Sequence, residues 1–419
     1  MDWRGDWLAQ KAQAIASAVI LYPHRACCSP ALLAALVLTF VLGFCGKGIG
    51  ARLEQRAVSN FRALASQANA ARDANQLDRA VILYKKALRL RPGWAKGWWS
   101  LGTILYDQNS YAEAASSFRR VVSLSPKDGT AWAMLGLSEF ALGKDAAALA
   151  HLEKGQNLGV AKDPQLDQVI LYHEGVLLKR EGEFETAREK LAPLCQQGVE
   201  SGSLNRTLGM IVLRIPRQNA ETQTSPGNKV VAQLGKAEWL AAQYRFGEAE
   251  RIDNQMVSQY PNFPNIHYAY GTLLLEALQP KLAVEQFKLE IKNNPRQAFA
   301  WLEIAAARYR VDSAGGIRYA EEGVKLDPQL PFGHYLLGLL LLDTHQYQAA
   351  LRQLEIAEPA FSSVPNLYFA LGTAYSHLGR NQEAARAWAK FRRLRQKGPN
   401  TGPPHDVQKS MRSQANSKP

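Results

Sequence analysis

The sequence predicts an all-α protein, a helical solenoid of about nine helix pairs preceded by one transmembrane helix. Two observations support this prediction. Similar residues recur at a step of 34 along most of the 419-residue chain, and one uncharged apolar stretch precedes the first repeat. A chain of this length is too long for a single compact core, so its fold is expected to grow by repetition.

The N-terminal apolar stretch predicts a membrane anchor. The chain carries no charged residue between Arg25 and Lys47, and a helix over 28–46 approaches the length of about 20 residues that spans a bilayer. Residues 1–27 form a polar and amphipathic segment, in which the apolar stretch Ala12 to Tyr22 is too short to span and is expected to lie along the membrane surface. Two alternatives stay open: a secretory signal cleaved before Ala51, and a buried soluble helix.

The orientation of this anchor is predicted from the basic residues beside it. More Lys and Arg follow the stretch than precede it, which favours a cytoplasmic repeat domain in a single-pass protein of a bacterial inner membrane. A periplasmic domain stays open, because large domains are exported regardless of charge. The flanking basic residues are Lys11 and Arg25 before the stretch, and Lys47, Arg52, Arg56 and Arg62 after it.

The repeats divide into two arrays, 61–200 and 230–397, separated by an irregular connection at 201–229. Small residues mark the step in both arrays, whereas the connection contains the turn-rich run PRQNAETQTSPGNK. Residues that keep the step include Gly102 and Gly136, Ala114 and Ala148, Trp98 and Trp132, Pro92 and Pro126, Ala237 and Gly271, Gly338 and Gly372, and Pro261 and Pro295.

Each repeat is expected to contain two short helices, as the unit from Ala95 to Lys127 illustrates. Its apolar residues recur at three- and four-residue steps, and Pro126 ends the second helix because proline lacks an N–H. Gly102 and Ala114 are small, so the two helices can cross closely there. Phe118 is expected to fill the gap toward the next unit.

These residues carry a resemblance to the tetratricopeptide repeat family, most fully in WWSLGTILYDQNSYAEAASSFRRVVSLSP and HYAYGTLLLEALQPKLAVEQFKLEIKNNP. The resemblance implies a right-handed solenoid that binds proteins and has no catalytic activity. A membrane helix followed by such repeats is similar to bacterial envelope-associated proteins of this family. This similarity implies a scaffold that assembles a membrane or envelope complex. If the signal is cleaved, it implies an exported soluble scaffold.

The resemblance also implies that the first helices of successive units line a concave groove. An aromatic groove suits an extended peptide or a partner helix. A second interpretation stays open, in which residues such as Trp99 and Phe140 only complete the packing between units. The predicted groove residues are Trp99, Thr103, Tyr106, Phe140, Tyr172, Val176, Tyr268, Tyr335 and Phe369.

The net charge of +13 does not indicate a nucleic-acid partner, because much of the excess lies at the C-terminus. The segment 398–419 is rich in Pro, Gly, Ser, Asn and Lys, so we expect it to be disordered and to contact anionic lipid.

No catalytic or metal-binding pattern is present in the sequence. The histidines and cysteines have no metal-ligand spacing, and no cofactor is expected. His173 and Glu174 are adjacent, but neighbours in a helix point to different sides, so they are not expected to form an acid/base pair. An enzyme or a nucleic-acid binder is therefore the weakest alternative.

Overall fold

The computed structural model describes residues 55–160, 164–218 and 220–397. They fall into two compact units, one up to Leu101 and the other from Gly102 onward. The predicted N-terminal segment at 1–27, membrane helix at 28–46 and tail at 398–419 lie outside the described residues. Among the helices that are described, none combines the length and hydropathy needed to cross a bilayer.

Every regular element in the described part of the chain is an α-helix, which confirms the predicted all-α solenoid. Within the unit from Gly102 onward, successive long helices pack against each other along the chain. The helices are α1 (55–73), α2 (Leu77–Leu90), α3 (Ala95–Asp107), α4 (Tyr111–Leu124), α5 (Gly129–Ala141), α6 (Asp145–Leu158), α7 (Pro164–Glu181), α8 (Phe184–Gln196), α9 (Gly202–Val212), α10 (Ala220–Gln223), α11 (Ser225–Ala241), α12 (Phe246–Gln259), α13 (Ile266–Glu276), α14 (Pro280–Asn293), α15 (Ala298–Arg308), α16 (Ser313–Leu326), α17 (Pro331–Asp343), α18 (Tyr347–Ala357), α19 (Pro365–His377) and α20 (Asn381–Lys397).

The two helices of a pair touch at one small residue of the first helix and one large residue sixteen positions later. A Cβ added to Gly102 would lie 2.9 Å from the ring of Phe118, so only glycine fits against that ring. The Phe118 ring was expected to fill the gap toward the next unit. In the structure it packs against Gly102 of its own helix pair. The same contact recurs at Gly136 and Leu152, Gly175 and Leu191, Gly271 and Phe287, Gly338 and Leu354, and Gly372 and Trp388.

A second recurring contact joins several units to the end of the previous one. The indole N–H of Trp132 donates to the carbonyl oxygen of Pro126 at 2.9 Å, and Trp301 donates likewise to Pro295 at 3.0 Å. In two other units a histidine takes the place of tryptophan, since Nε2 of His267 lies 3.0 Å from the carbonyl oxygen of Pro261. The recurring prolines therefore end a helix and also present a carbonyl acceptor.

The segment 201–229 contains regular structure. Ser201 caps α9 by accepting the Leu204 N–H at 3.1 Å, and Thr224 caps α11 by accepting the Gly227 N–H at 3.1 Å. The two helices cross at Gly209 and Gly235, where an added Cβ would overlap a backbone carbonyl of the opposite helix. The chain therefore inserts one additional long helix, α9, between the pairs α7–α8 and α11–α12.

We expect Gly235→Ala to destabilise the fold by about 3 kcal/mol, because a methyl group cannot fit against the Asn205 carbonyl without separating α9 from α11. Urea unfolding followed by circular dichroism measures the loss. Gly247→Ala in α12 is the control, since a Cβ there meets nothing within 4 Å. Equal unfolding midpoints for the two variants would contradict the close crossing.

Candidate partner-binding surface

The first helices of the pairs share a face that we call the first-helix face. It is defined by the positions three residues before and four residues after the close-packed small residue of each pair. Tyr106 and Phe140 hold the later position in α3 and α5, and Tyr172 holds the earlier position in α7; all three are half-buried. The Tyr106 ring packs edge-on against Tyr111 at 5.3 Å, and burial raises the pKa of its phenol.

An aromatic row is formed by Phe140 and Tyr172 of this face together with His173, which adjoins Tyr172 in α7. The ring centroids of Phe140 and His173 are 4.5 Å apart, and those of Tyr172 and His173 are 5.4 Å apart. The guanidinium of Arg180 lies 4.8 Å from the Phe140 centroid and pairs with Asp145 at 2.8 Å. The row thus offers partly exposed rings beside a cation that is already paired.

His173 and Glu174 contact different groups, as expected from their adjacency. His173 Nδ1–H donates to the Val169 carbonyl at 2.7 Å, whereas the buried Glu174 accepts from Lys190 Nζ at 2.9 Å. Burial lowers the pKa of His173, and burial raises that of Glu174 against the opposing effect of Lys190. The two side chains do not meet at a common point.

The other predicted groove residues differ widely in exposure. Trp99 and Thr103 are half-buried, whereas Val176, Tyr268 and Tyr335 are buried in packing. Phe369 is 47% exposed and packs edge-on against Trp388 at 5.1 Å. A role for these residues in partner binding remains a prediction, and the buried ones present little surface to a partner in this conformation.

Tyr268 is buried among Phe287, Phe299 and a segment that follows α9, residues 213–218, which we call the strap. The Arg214 guanidinium of the strap lies 3.7 Å from the ring centroid of Phe299, 5.0 Å from Phe184 and 5.6 Å from Tyr268. Its Nη1 pairs with Glu185 at 3.1 Å, and its side chain is 10% exposed. Three rings and a carboxylate therefore enclose one arginine, and we call these four residues the cage.

The strap is attached on both sides of Arg214. The Asn265 side-chain amide donates to the Leu213 carbonyl at 2.8 Å, and Lys179 Nζ donates to the Pro216 carbonyl at 2.8 Å. Arg217 pairs with Asp145 at 3.2 Å, although its side chain is 70% exposed. Lys179 lies four residues after Gly175, so it holds the same register as Tyr106 and Phe140.

A charge network lies beside the strap. Arg188 of α8 donates through Nη2 to Glu238 of α11 at 2.8 Å and to Glu276 of α13 at 2.7 Å. Burial opposes the Arg188 charge, but the two carboxylates outweigh it and hold its pKa well above the ordinary value. The network borders a cleft of about 330 Å³ lined also by Glu189, Tyr244, Phe246 and Leu278.

The sequence analysis predicted Tyr268 of the cage but not Arg188, Arg214, Phe184, Glu185 or Phe299. The sequence feature that could have pointed to these residues is the irregular segment 201–229, because contacts near a break in a regular repeat differ from those within the repeat. In the described part of the chain, no group of three or more His, Cys, Asp or Glu could hold a metal ion. The residues described on the candidate surface are aromatic rings, arginines and carboxylates.

Comparison with known proteins supports the repeat assignment. Residues 65–128, 100–165 and 335–399 match the model described as tetratricopeptide repeat. The prediction of tetratricopeptide repeats is thereby confirmed for these parts of the chain. They include Tyr106, Phe140, Tyr335 and Phe369 of the predicted groove.

The individual relatives are distant and cover limited regions. The general transcriptional corepressor trfA of Dictyostelium discoideum is 28% identical over 120 residues, which are 28% of this chain and 8% of the relative. The corepressor ssn6 of Schizosaccharomyces pombe is 30% identical over 112 residues, 27% of this chain and 10% of the relative. The chain thus spans no more than a tenth of these relatives.

Among solved structures, a MamA structure from Desulfovibrio magneticus RS-1 is 19% identical, with a TM-score of 0.38. The match covers 42% of this chain and 100% of the MamA chain.

The pH dependence of stability offers a test of the strap contact. Burial, followed by the nearby Arg180 and Arg217 charges, lowers the pKa of Lys179 to about 8 from 10.5. Between these values the folded chain has released a proton that the unfolded chain retains, so the free energy of unfolding rises with pH, by about 3 kcal/mol in total. Urea unfolding midpoints between pH 7.5 and pH 10 measure this rise.

Lys179→Met should remove that rise, and the exposed Lys288→Met should preserve it. If the pH dependence is identical in the wild type and in both variants, the pKa of Lys179 is not lowered by folding.

Proposed function

We propose that this chain of tetratricopeptide repeats is a scaffold that binds a protein partner through its first-helix face and is anchored in a membrane through residues 28–46. The single observation that supports the binding part is the aromatic row that Phe140 and Tyr172 of that face form with His173. Aromatic rings provide a large contact area at low cost in conformational entropy. Repetition along the solenoid extends such a surface to fit a long segment.

The anchoring part of the proposal rests on the uncharged stretch between Arg25 and Lys47. An anchored scaffold holds its partner close to the bilayer and so assists the assembly of a membrane or envelope complex. In this proposal the basic residues of the tail, including Lys409 and Arg412, contact anionic lipid at the same membrane. The alternative is an exported soluble scaffold released by signal cleavage.

The mature N-terminus distinguishes the two forms. We expect intact-mass measurement to find residues 1–50 retained, and alkaline carbonate extraction to leave the chain in the membrane pellet, because a spanning helix is not released by pH or salt. A mature chain that begins near Ala51 and is extracted into the supernatant would replace the anchored form with the exported one.

Partner capture tests the first-helix face. Tagged full-length chain solubilised in detergent is used to recover proteins from its own cells, with quantitative mass spectrometry of the captured set. Phe140→Ala and Tyr106→Ala should reduce the recovered partner at least about tenfold, because truncating a central aromatic contact commonly costs more than 1.4 kcal/mol.

Leu158→Ala is the matched control for this experiment. Leu158 is an exposed apolar residue at the end of α6, in the same helix pair as Phe140 but on its second helix. All variants are first compared with the wild type by circular dichroism. If both aromatic variants remain folded and recover every partner at the wild-type level, the partner does not bind this face.

A further inference from the structure

The strap occupies part of the first-helix face. It contacts Lys179, which lies four residues after Gly175, and Tyr268, which lies three residues before Gly271. Both positions belong to the face by definition. A segment of the chain itself therefore lies where the proposed function places a partner segment.

The cage has the chemistry of an arginine-binding site. Phe299, Phe184 and Tyr268 surround the Arg214 guanidinium, and the Glu185 carboxylate pairs with it. A guanidinium is planar, so it can stack on aromatic rings and donate parallel hydrogen bonds to a carboxylate, whereas an ammonium has no planar face and is more strongly hydrated. The cage therefore suits an arginine better than a lysine or a neutral side chain of similar shape.

The end of the strap is exposed, although the Leu213 and Pro216 carbonyls accept hydrogen bonds from Asn265 and Lys179. Arg214 adopts φ 55°, a left-handed conformation that is unfavourable for a residue with a Cβ. The adjoining Pro216 and Arg217 are exposed, and the Arg217 pair with Asp145 is open to solvent. A pair of this kind contributes little to holding a segment in place.

We propose that the cage is an arginine-recognition site of the partner-binding face, that Arg214 occupies it in the partner-free chain, and that the partner binds by placing an arginine of an extended segment there. This inference rests on the proposed function, because it assumes that the partner approaches the first-helix face. It adds the chemical class of the partner, a protein segment with an accessible arginine.

The strap and a partner segment then compete for one site. Because the strap is part of the same chain, its effective concentration at the cage is high, and an external peptide binds the wild type weakly. Removing the Arg214 side chain vacates the cage and should increase the affinity for an external arginine. Glycine is the suitable replacement, since it adopts the left-handed φ without strain.

The experiment measures fluorescence anisotropy of a labelled, end-blocked peptide IVLRIPRQ, residues 211–218, which contains the strap, against the full chain in detergent. We expect Arg214→Gly to bind this peptide at least about tenfold more tightly than the wild type does. A peptide with citrulline in place of its first arginine should lose the gain, because citrulline keeps the shape and lacks the charge. Adding Phe299→Ala to Arg214→Gly should lose it as well.

A second variant keeps the test decisive if Arg214→Gly does not fold. Arg217→Ser removes the exposed strap contact and leaves the cage intact, so it should remain folded and bind the peptide about threefold more tightly than the wild type. The proposal is overturned if the folded variants show no gain over the wild type, or if the citrulline peptide binds as tightly as the arginine peptide.

Failure of this inference is distinguishable from failure of the proposed function. Partner capture that depends on Phe140 while the peptide shows no response to Arg214→Gly would preserve the scaffold function and reject the arginine site. If Arg214→Gly increases peptide affinity but partner capture is unchanged by Phe140→Ala and Tyr106→Ala, the arginine site is supported and the aromatic row is rejected as the partner surface.

Discussion

The close approach of two helices at one small residue is the contact on which the rest of the structure depends. At Gly102 and Gly271 the first helix presents bare backbone, and a phenylalanine sixteen residues later packs against it. This contact fixes the rotation of both helices, since any larger residue would separate them. Once the rotation is fixed, the positions three residues before and four residues after the small residue lie on the first-helix face.

The break between the arrays shows what happens when this contact is altered. Asp253 lies sixteen residues after Ala237, where other pairs carry phenylalanine, leucine or tryptophan. Its carboxylate is buried, one of its oxygens has no hydrogen-bond partner among the described residues, and burial raises its pKa well above the ordinary value. The pair α11–α12 therefore lacks the apolar contact that closes its neighbours.

Other contacts hold the chain together around this weaker pair. The additional helix α9 crosses α11 at Gly209 and Gly235, and Arg188 joins α8 to α11 and α13 through charge-assisted hydrogen bonds. The same region contains the strap and the cage. In this part of the chain, where the step of 34 residues is interrupted, Arg188, Arg214 and the carboxylates that pair with them supply contacts that the regular repeat does not provide.

The sequence by itself determined the repeated architecture and its local contacts. The positions of the helices, the small residues at the crossings and the recurring prolines follow from periodicity within about 34 residues, because each depends on neighbours in the same or the adjacent unit. The positions that form the first-helix face could be assigned from the sequence for the same reason. The exposure of the side chains at those positions could not be predicted.

Only the tertiary structure decided which positions of the first-helix face are exposed to solvent and which residues cover the others. Arg214 lies against the buried Tyr268, which follows it by 54 residues, and Arg188 meets Glu276 at a separation of 88 residues. No short-range pattern encodes these pairings. They depend on the path of the chain through α9 and the strap, where the repeat no longer predicts which residues become neighbours.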